Sequence, residues 1–426
     1  MGHIRRNGRI SKSDKRRKRI FGQFEVMSTQ TVSLPQSQTQ LLLYQARQPY
    51  ELAQSRNLPS ISSGELLVQV LAVGLNPIDW KSAAYGFALP AFPCVNGREL
   101  VGKIVRQHSS QPSDFEVGDV VLSIATDYRD FRKSGFQEYA VVDEFNAVRL
   151  PKNIYAPQAA SVGVAFVAAT ISLGVCLGMT MSHKKGLQMD LLNLARAQGR
   201  DDTPEDIVKE VFDGIEPQDR PVAGDWILIY GASTITGQIA IQLAKWSGMR
   251  TVVIANKAKH GEILERLGSD LIIDRSDLDQ AAIDIYAAIP APIRFAFDTV
   301  GVETATWCQG LLADGHDYNA TVKPGEHIDS RWSGTSPAHL VCLVGSPKER
   351  VPGVRTHQVP IKLFHANRDI GHVLSNWLSI LLGNGRLKLP ETVYEDGGLA
   401  AIGPSLDRIR SGELSGRRLV VRLGIN

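Results

Sequence analysis

The sequence predicts an α/β protein in two parts, a small β-barrel-like domain followed by a doubly wound parallel sheet. Three observations carry this. From Gly64 onward, short β-rich runs (ELLVQVLAVGLNP, VGKIVRQ, DVVLSIA, FQEYAVV) are separated by turn signals such as FEVGD. After Gly224, strand-like and helix-like segments alternate, the pattern of a parallel sheet covered by helices on both faces. The chain has 426 residues, 43% of them hydrophobic and 21% charged, an ordinary composition for a globular protein of two or three domains that excludes wholesale disorder and fibrous repeats.

Taken in order, the chain opens on a basic head. Residues 1 to 27 carry nine basic and two acidic side chains, a charge of +7, and the remaining residues carry −4. The run from Arg5 to Arg19 has no apolar period, so it is expected to be disordered. Two readings of it stand: a targeting or nucleic-acid arm, or a segment absent from the working protein, since Met27 followed by STQTVSLPQSQTQ reads as an alternative start. The nearly neutral body argues against nucleic acid as the main partner. After the β-rich runs, Pro151 begins a switch to helix. The stretch from Ala159 to Met181 is the most apolar, yet its small residues suit a buried helix. No opening run of about 18 apolar residues signals a leader or a membrane span, and a cytoplasmic location is expected.

Residues 182–222 read as an insertion holding one amphipathic helix, because Thr203-Pro204-Glu205-Asp206 precede apolar residues at helical spacing. Beyond it come strand DWILIY, helix GQIAIQLAKW, strand RTVVIA, helix KHGEILERL, strand DLIID, a helix from Ser276, strand RFAFDTV, helix ETATWCQGLL, strand HLVCLVG and strand HQVPIKLF. The four cysteines, Cys94, Cys176, Cys308 and Cys342, form no CxxC pair and read as buried thiols in a reducing compartment. The ten histidines show no HxH or HExxH spacing, and His339 reads as structural.

The chemistry-bearing signal is the turn IYGASTITGQIAIQLA, where a strand ends at Gly231 and a helix begins near Gly237. Such a turn lets a pyrophosphate approach the backbone N–H groups of a helix start. Sites selective for NAD end the next strand in an acid that binds the ribose 2′-hydroxyl. Here Asn256 stands in that region, followed by Lys257, Lys259 and His260, cationic donors suited to the 2′-phosphate of NADPH. The other reading makes them solvated loop residues.

The segments VGLNPIDWK (73–81), GRELVGKIV (97–105), FEVGDVV (115–121), YGASTITGQIAIQLAK (230–245), RFAFDTVG (294–301) and RSGELSGRRLVVRL (410–423) resemble the zinc-independent branch of the medium-chain dehydrogenase/reductase superfamily, in particular fungal enoyl-reductase-like (ToxD-like) proteins and, more distantly, quinone oxidoreductases. The resemblance implies a GroES-like catalytic domain (36–165) after the head (1–35). A Rossmann nucleotide-binding domain (166–365, with the insertion 182–222) and a C-terminal return to the catalytic domain (366–426) follow. Zinc-dependent relatives place a ligand Cys where this chain has Asn76 and a His-Glu pair where it has Arg98-Glu99. An amide and a guanidinium cannot replace a thiolate and an imidazole on zinc, so no metal is expected.

What the resemblance implies is NADPH-dependent hydride addition to the activated C=C bond of a small unsaturated carbonyl compound in secondary metabolism, free or bound to a carrier protein, with no membrane partner. It places Asn76 and Asp79 near the cofactor, with Lys81 as donor to the enolate oxygen and Tyr85 as acid. Ser233, Thr234 and Thr236 match positions that touch phosphate beside Gly231 and Gly237. The bland reading makes Lys81 a surface cation and Tyr85 a rim aromatic. Asp298 either lines the cofactor cleft or caps the next turn. Two other functions stay open: a quinone or aldehyde reductase of the same fold, and a non-catalytic NADPH-binding regulator.

Overall fold

The computed structural model describes residues 1–2, 34–108, 113–182, 188–289, 291–321 and 336–424. Arg5–Arg19 and Met27, on which the readings of the head turn, lie outside them. The chain divides into Met1–Pro35 and Gln36–Asn426, and the strands and helices among the described residues all belong to the second unit.

Its first half is built from β1 (Ser37–Leu43), β2 (Glu51–Asn57), β3 (Glu65–Gly74), α1 (Pro77–Tyr85), β4 (Cys94–Val95), β5 (Glu99–Gln107), β6 (Val120–Ile124), β7 (Tyr139–Asp143) and β8 (Val148–Arg149). Valine, leucine and alanine fill β3, and eight of its ten residues are buried, the composition of a strand covered on both faces. It is accordingly the hub: β5 and β7 pair with it antiparallel, and its register with β5 slips at Leu67/Val68 and at Val70/Ala72, irregularities that bend a strand toward a barrel.

The connection runs through α2 (Ala156–Ala159), α3 (Gly163–Ile171), β9 (Met181–Ser182), β10 (Gln188–Met189), α4 (Leu191–Ala197) and α5 (Glu205–Asp213). The helical stretch Ala156–Cys176 is long and apolar enough to cross a membrane, but 94% of its most apolar window is buried inside the protein. It is a core helix, as its small residues suggest: Phe166 meets Trp377 edge-on at 5.4 Å. Among its described residues the insertion holds two α-helices rather than the single one expected. Thr203 does not cap the second of them; its hydroxyl donates to the Gly199 carbonyl at 2.7 Å, closing the turn between α4 and α5.

The second half contains β11 (Trp226–Tyr230), α6 (Ile235–Trp246), β12 (Arg250–Ala255), α7 (Lys257–Arg266), β13 (Leu271–Asp274), α8 (Leu278–Ala288), β14 (Phe295–Asp298), α9 (Val302–Thr321), β15 (Ala338–Cys342) and β16 (Val354–Gln358). These six strands form one parallel sheet in the order β13-β12-β11-β14-β15-β16. The expected doubly wound architecture is therefore present. Side chains alternate between two cores: Ile227, Ile229 and Phe297 enter one, Leu228, Tyr230 and Ala296 the other, the two-residue period of a strand buried on both faces. The last strand is shorter than the sequence suggests. Pro360 has no N–H for a ladder, and Leu363–Ala366 is helical, as α10. Then come α11 (Arg368–Gly383), β17 (Thr392–Glu395), α12 (Ile402–Arg410) and β18 (Arg418–Arg422). Strand β18 pairs antiparallel with β3 and completes a sheet in the order β17-β18-β3-β5-β6-β8.

One buried polar chain ties the insertion to the sheet edge. His339 Nδ1 lies 2.9 Å from His357 Nε2, and His357 Nδ1 lies 2.7 Å from Glu210 Oε1 on α5. His339 stacks on both Phe295 and His357, the structural role expected of it. Burial, followed by His357, Arg294 and Arg355, lowers its pKa to about 2. The unfolded chain therefore takes up a proton here below about pH 6.5 while the folded chain does not. The stability from this residue is complete above that pH and is lost as pH falls toward 2, by up to about 1.4 kcal/mol per pH unit. Wild type should lead a His339→Phe variant in urea midpoint at pH 7.5, and the lead should shrink by pH 5. A lead that stays constant over this range would show that His339 is not the group that titrates.

Candidate functional site

In an open parallel sheet, ligands bind beyond the strand C-termini where the strand order reverses. Here that point lies between β11 and β14, and the glycine turn after β11 sits in it. Gly231 adopts φ +76°, and a Cβ there would come within 2.4 Å of Thr299 Oγ1. Thr234 caps α6, its side chain accepting from the Gly237 N–H at 3.0 Å. The same Oγ1 lies 3.0 Å from Thr299 Oγ1, which is within 3.1 Å of the Tyr230 and Gly231 carbonyl oxygens. Thr299, after β14, thus locks the turn from the far side of the reversal, a residue with no distinguishing signal in the sequence.

At Gly237 a Cβ would stand 2.5 Å from the Gly231 carbonyl oxygen and 2.8 Å from Ala232 Cα. Only glycine lets the helix start this close to the turn, and its remaining first-turn N–H groups have no intrahelical acceptor. This cradle fits the pyrophosphate of a dinucleotide. Ser233 and Thr236 flank it, and the Ser233 carbonyl accepts from Gln238 Nε2 at 3.0 Å. Asp298 is fully buried, and its Oδ2 accepts from the N–H groups of Val300 and Gly301 at 3.1 and 2.9 Å. It caps the next turn.

Lys257 and Lys259 are exposed on the first turn of α7, while His260 is buried. The His260 Nε2 lies 3.0 Å from Ser415 Oγ. Burial lowers its pKa, and Lys259 and Arg275 lower it further. A neutral, engaged imidazole leaves Lys257 and Lys259 as the cations at the end of β12, joined by Arg275 just after β13, which sequence reasoning misses.

On the barrel side, Asn76 and Asp79 are buried, at 2% and 1% exposure. The Asp79 Oδ2 accepts from the Asn76 N–H at 2.7 Å, capping α1. The Asn76 Nδ2 donates to Glu99 Oε2 at 3.2 Å, and its Oδ1 accepts from Arg418 Nη1 at 2.6 Å. Glu99 also accepts the Gly163 N–H. Burial raises Glu99 to about 7 and Asp79 to about 6, against the pull of Arg418 on both and of Arg98 on Asp79. Arg98 is 3% exposed, its Nη2 donating to Asn96 Oδ1 at 3.2 Å. The donors at these positions are an amide, a guanidinium and a carboxylate already engaged by Asn76 and the Gly163 N–H, which is no ligand set for zinc. Among the described residues, no group of three or more His, Cys, Asp and Glu could hold a metal ion. The four cysteines are all buried free thiols.

Asn76 and Asp79 therefore form the frame under α1, with their polar groups turned into this network. The two residues singled out for chemistry sit on the same helix. Lys81 is half-buried with its Nζ 5.8 Å from the centre of the Trp80 ring. Tyr85 is 64% exposed and packs on Trp80 at 5.9 Å, a position at the rim.

Residues 62–152 match the alcohol dehydrogenase GroES-like domain. Over 87% of this chain and 95% of its own length, the trans-enoyl reductase BOA5 of Botryotinia fuckeliana is 26% identical. The CurK enoyl reductase structure superposes with a TM-score of 0.64 at 18% identity, covering 92% of this chain and all of its own. A mycobacterial protein, Rv1454c, complexed with NADPH superposes with a TM-score of 0.62 at 16% identity over 91% of this chain and all of its own.

Gly237→Ala should weaken dinucleotide binding more than tenfold, because the added methyl group meets backbone rather than a yielding side chain. Fluorescence titration, with circular dichroism to confirm the fold, measures it. Wild-type affinity in the variant would remove the cradle from the site.

Proposed function

We propose that this chain, an enoyl-reductase-like protein with the medium-chain dehydrogenase/reductase fold, reduces the activated C=C bond of a small α,β-unsaturated carbonyl compound with NADPH. The observation that carries the reading is the buried Asn76–Glu99–Arg418 network with Arg98 beside it, standing where zinc-dependent relatives hold their metal. Without a Lewis acid, the chemistry best suited to a nicotinamide is hydride addition to a carbon whose neighbouring carbonyl takes the charge. The full-length likeness to trans-enoyl reductases supports the same reaction, and a setting in secondary metabolism and in the cytoplasm goes with it. Quinone reduction and a purely regulatory role find no comparable support.

In this reading residues 36–165 and 366–426 form the substrate side and residues 166–365 hold the cofactor. When bound, the nicotinamide supplies the hydride. The Gly231–Gly237 turn binds its pyrophosphate, with Ser233, Thr234 and Thr236 around it, and Lys257, Lys259 and Arg275 face the 2′-phosphate. Lys81 donates to the carbonyl oxygen as it gains enolate charge. The interaction strengthens toward the transition state, which is the condition for raising turnover.

Two measurements test these assignments. Replacing Lys257 and Lys259 by Ala should weaken NADPH at least tenfold while sparing NADH, since a charge-assisted contact is worth roughly 1.5–3 kcal/mol. An equal loss for both cofactors would defeat the 2′-phosphate assignment. Lys81→Ala should lower enone turnover roughly a hundredfold to a thousandfold with NADPH affinity unchanged. Unaltered turnover would make Lys81 a surface cation.

A further inference from the structure

Reduction of an enone needs a proton at the α-carbon as well as a hydride at the β-carbon, and three tyrosines surround α1 and the zinc-less network. Tyr85 is at the rim. Tyr50 is fully engaged, its hydroxyl accepting from Asn96 Nδ2 at 2.7 Å and donating to the Asp79 carbonyl at 2.9 Å. Tyr128 differs from both. Its ring lies over the guanidinium of Arg98, with the Cζ 3.9 Å from the ring centre, and its hydroxyl makes no hydrogen bond among the described residues. Arg98 itself keeps Nη1 without a partner, as does Asp79 Oδ1 nearby. A buried cation clamped under a phenol whose O–H is spare is costly unless the pair has something to act on.

The position of Tyr128 supports such a role. It lies in the loop that leaves β6, and two residues earlier Thr126 Oγ1 lies 2.8 Å from His365 Nδ1 on α10. Helix α10 follows β16, so it stands beyond the C-terminal edge of the parallel sheet, where the cofactor's side of the cleft lies. The loop therefore passes from the barrel network to the ligand edge of the sheet, carrying Tyr128 between them.

We infer that Tyr128 is the proton donor of the reduction and that Arg98 is its positioning residue. The inference rests on the C=C reductase reading. A hydride from NADPH bonds to the β-carbon, and the π pair moves to leave an enolate. The phenolic O–H then breaks, and its proton forms the new C–H bond at the α-carbon. The phenolate left behind is held by the Arg98 guanidinium until solvent returns the proton. The sum is one NADPH and one proton consumed per saturated carbonyl formed. Around the phenol stand Arg98 just before β5, Asp79 from α1, and Asp127 and Arg129 on its own loop. Burial raises the phenol's pKa, with Arg98 lowering it and Asp79 raising it, so it stays protonated at neutral pH, as a donor must.

The test compares wild type, Tyr128→Phe and Arg98→Lys with a cyclic enone and NADPH. Tyr128→Phe keeps the ring on Arg98 and removes only the hydroxyl. Turnover should fall at least a hundredfold, the low end for loss of a general acid, with NADPH affinity within twofold of wild type by fluorescence. The alkaline limb of the wild-type kcat profile should disappear. In Arg98→Lys, which keeps the charge but not the planar stack, that limb should move to a different pH. Turnover within threefold of wild type in Tyr128→Phe, with the alkaline limb intact, would overturn the inference while leaving the reductase reading in place. A wild type that binds NADPH and reduces no enone would overturn the reductase reading itself and, with it, the donor role.

Discussion

Arg418 enters the protein from its last strand and donates to the Leu75 carbonyl, to Asn76 Oδ1 and to the Ser161 carbonyl, at 2.9, 2.6 and 3.2 Å. Three segments far apart in sequence meet on one guanidinium: the start of α1, the turn before α3, and β18. Removing an ion of this kind from water costs several kcal/mol, which is recovered only if its partners are all present and well placed. Asn76, Glu99 and the Gly163 N–H complete the set. The start of α1 is held where it is because this cluster tolerates no other arrangement, and Lys81 rides on that helix.

The same cluster offers no ligand set for a metal. A zinc ion polarises a carbonyl directly and lowers the pKa of what it binds. Two arginines among two carboxylates bring positive charge to the region, yet a guanidinium can only donate hydrogen bonds. The burial that raises Asp79 and Glu99 further reduces the negative charge that a metal would need. Such a site favours reactions in which an oxygen gains charge gradually and is met by donors, as in enolate formation, over abstraction of a proton from an alcohol.

The architecture was legible because its signals are local. Alternation of short apolar strands with amphipathic helices requires only neighbours along the chain, and so does the glycine turn at 231–237. The sequence says least where distant residues decide. Helix α4 has little amphipathic signal of its own and packs by contact with the core around α3, so the insertion read as one helix instead of two. His260 looked like a cation beside two lysines, but Ser415, 155 positions away, takes its ring. Asn76 and Asp79 lie in the motif that places them near the cofactor, and folding directs their polar groups onto Arg418 and the backbone of α1, contacts that no local pattern announces. Thr299, Arg275 and Tyr128 carried no sequence signal that distinguishes them from ordinary turn residues. Each acquires a role only from what the fold brings opposite it.

The short segment from Ser415 to Arg418 shows how closely the two halves are joined. Ser415 Oγ meets His260 at the start of α7, and the Gly416 carbonyl accepts from Gln238 in the first turns of α6 at 3.0 Å. A Cβ at Gly416 would stand 2.7 Å from the His260 ring, so the backbone there approaches the nucleotide side as closely as glycine allows. Two residues later Arg418 holds the frame of α1. The helix starts that would meet the dinucleotide and the helix that carries Lys81 are thus fixed to one another through four consecutive residues. For a reaction in which reacting atoms must be held to within about half an ångström, a link this short couples cofactor and substrate positions far more stiffly than a long loop could. The C-terminal return of the chain, which contributes only one strand pair to the barrel's central strand, is therefore the element on which the geometry of both sides depends.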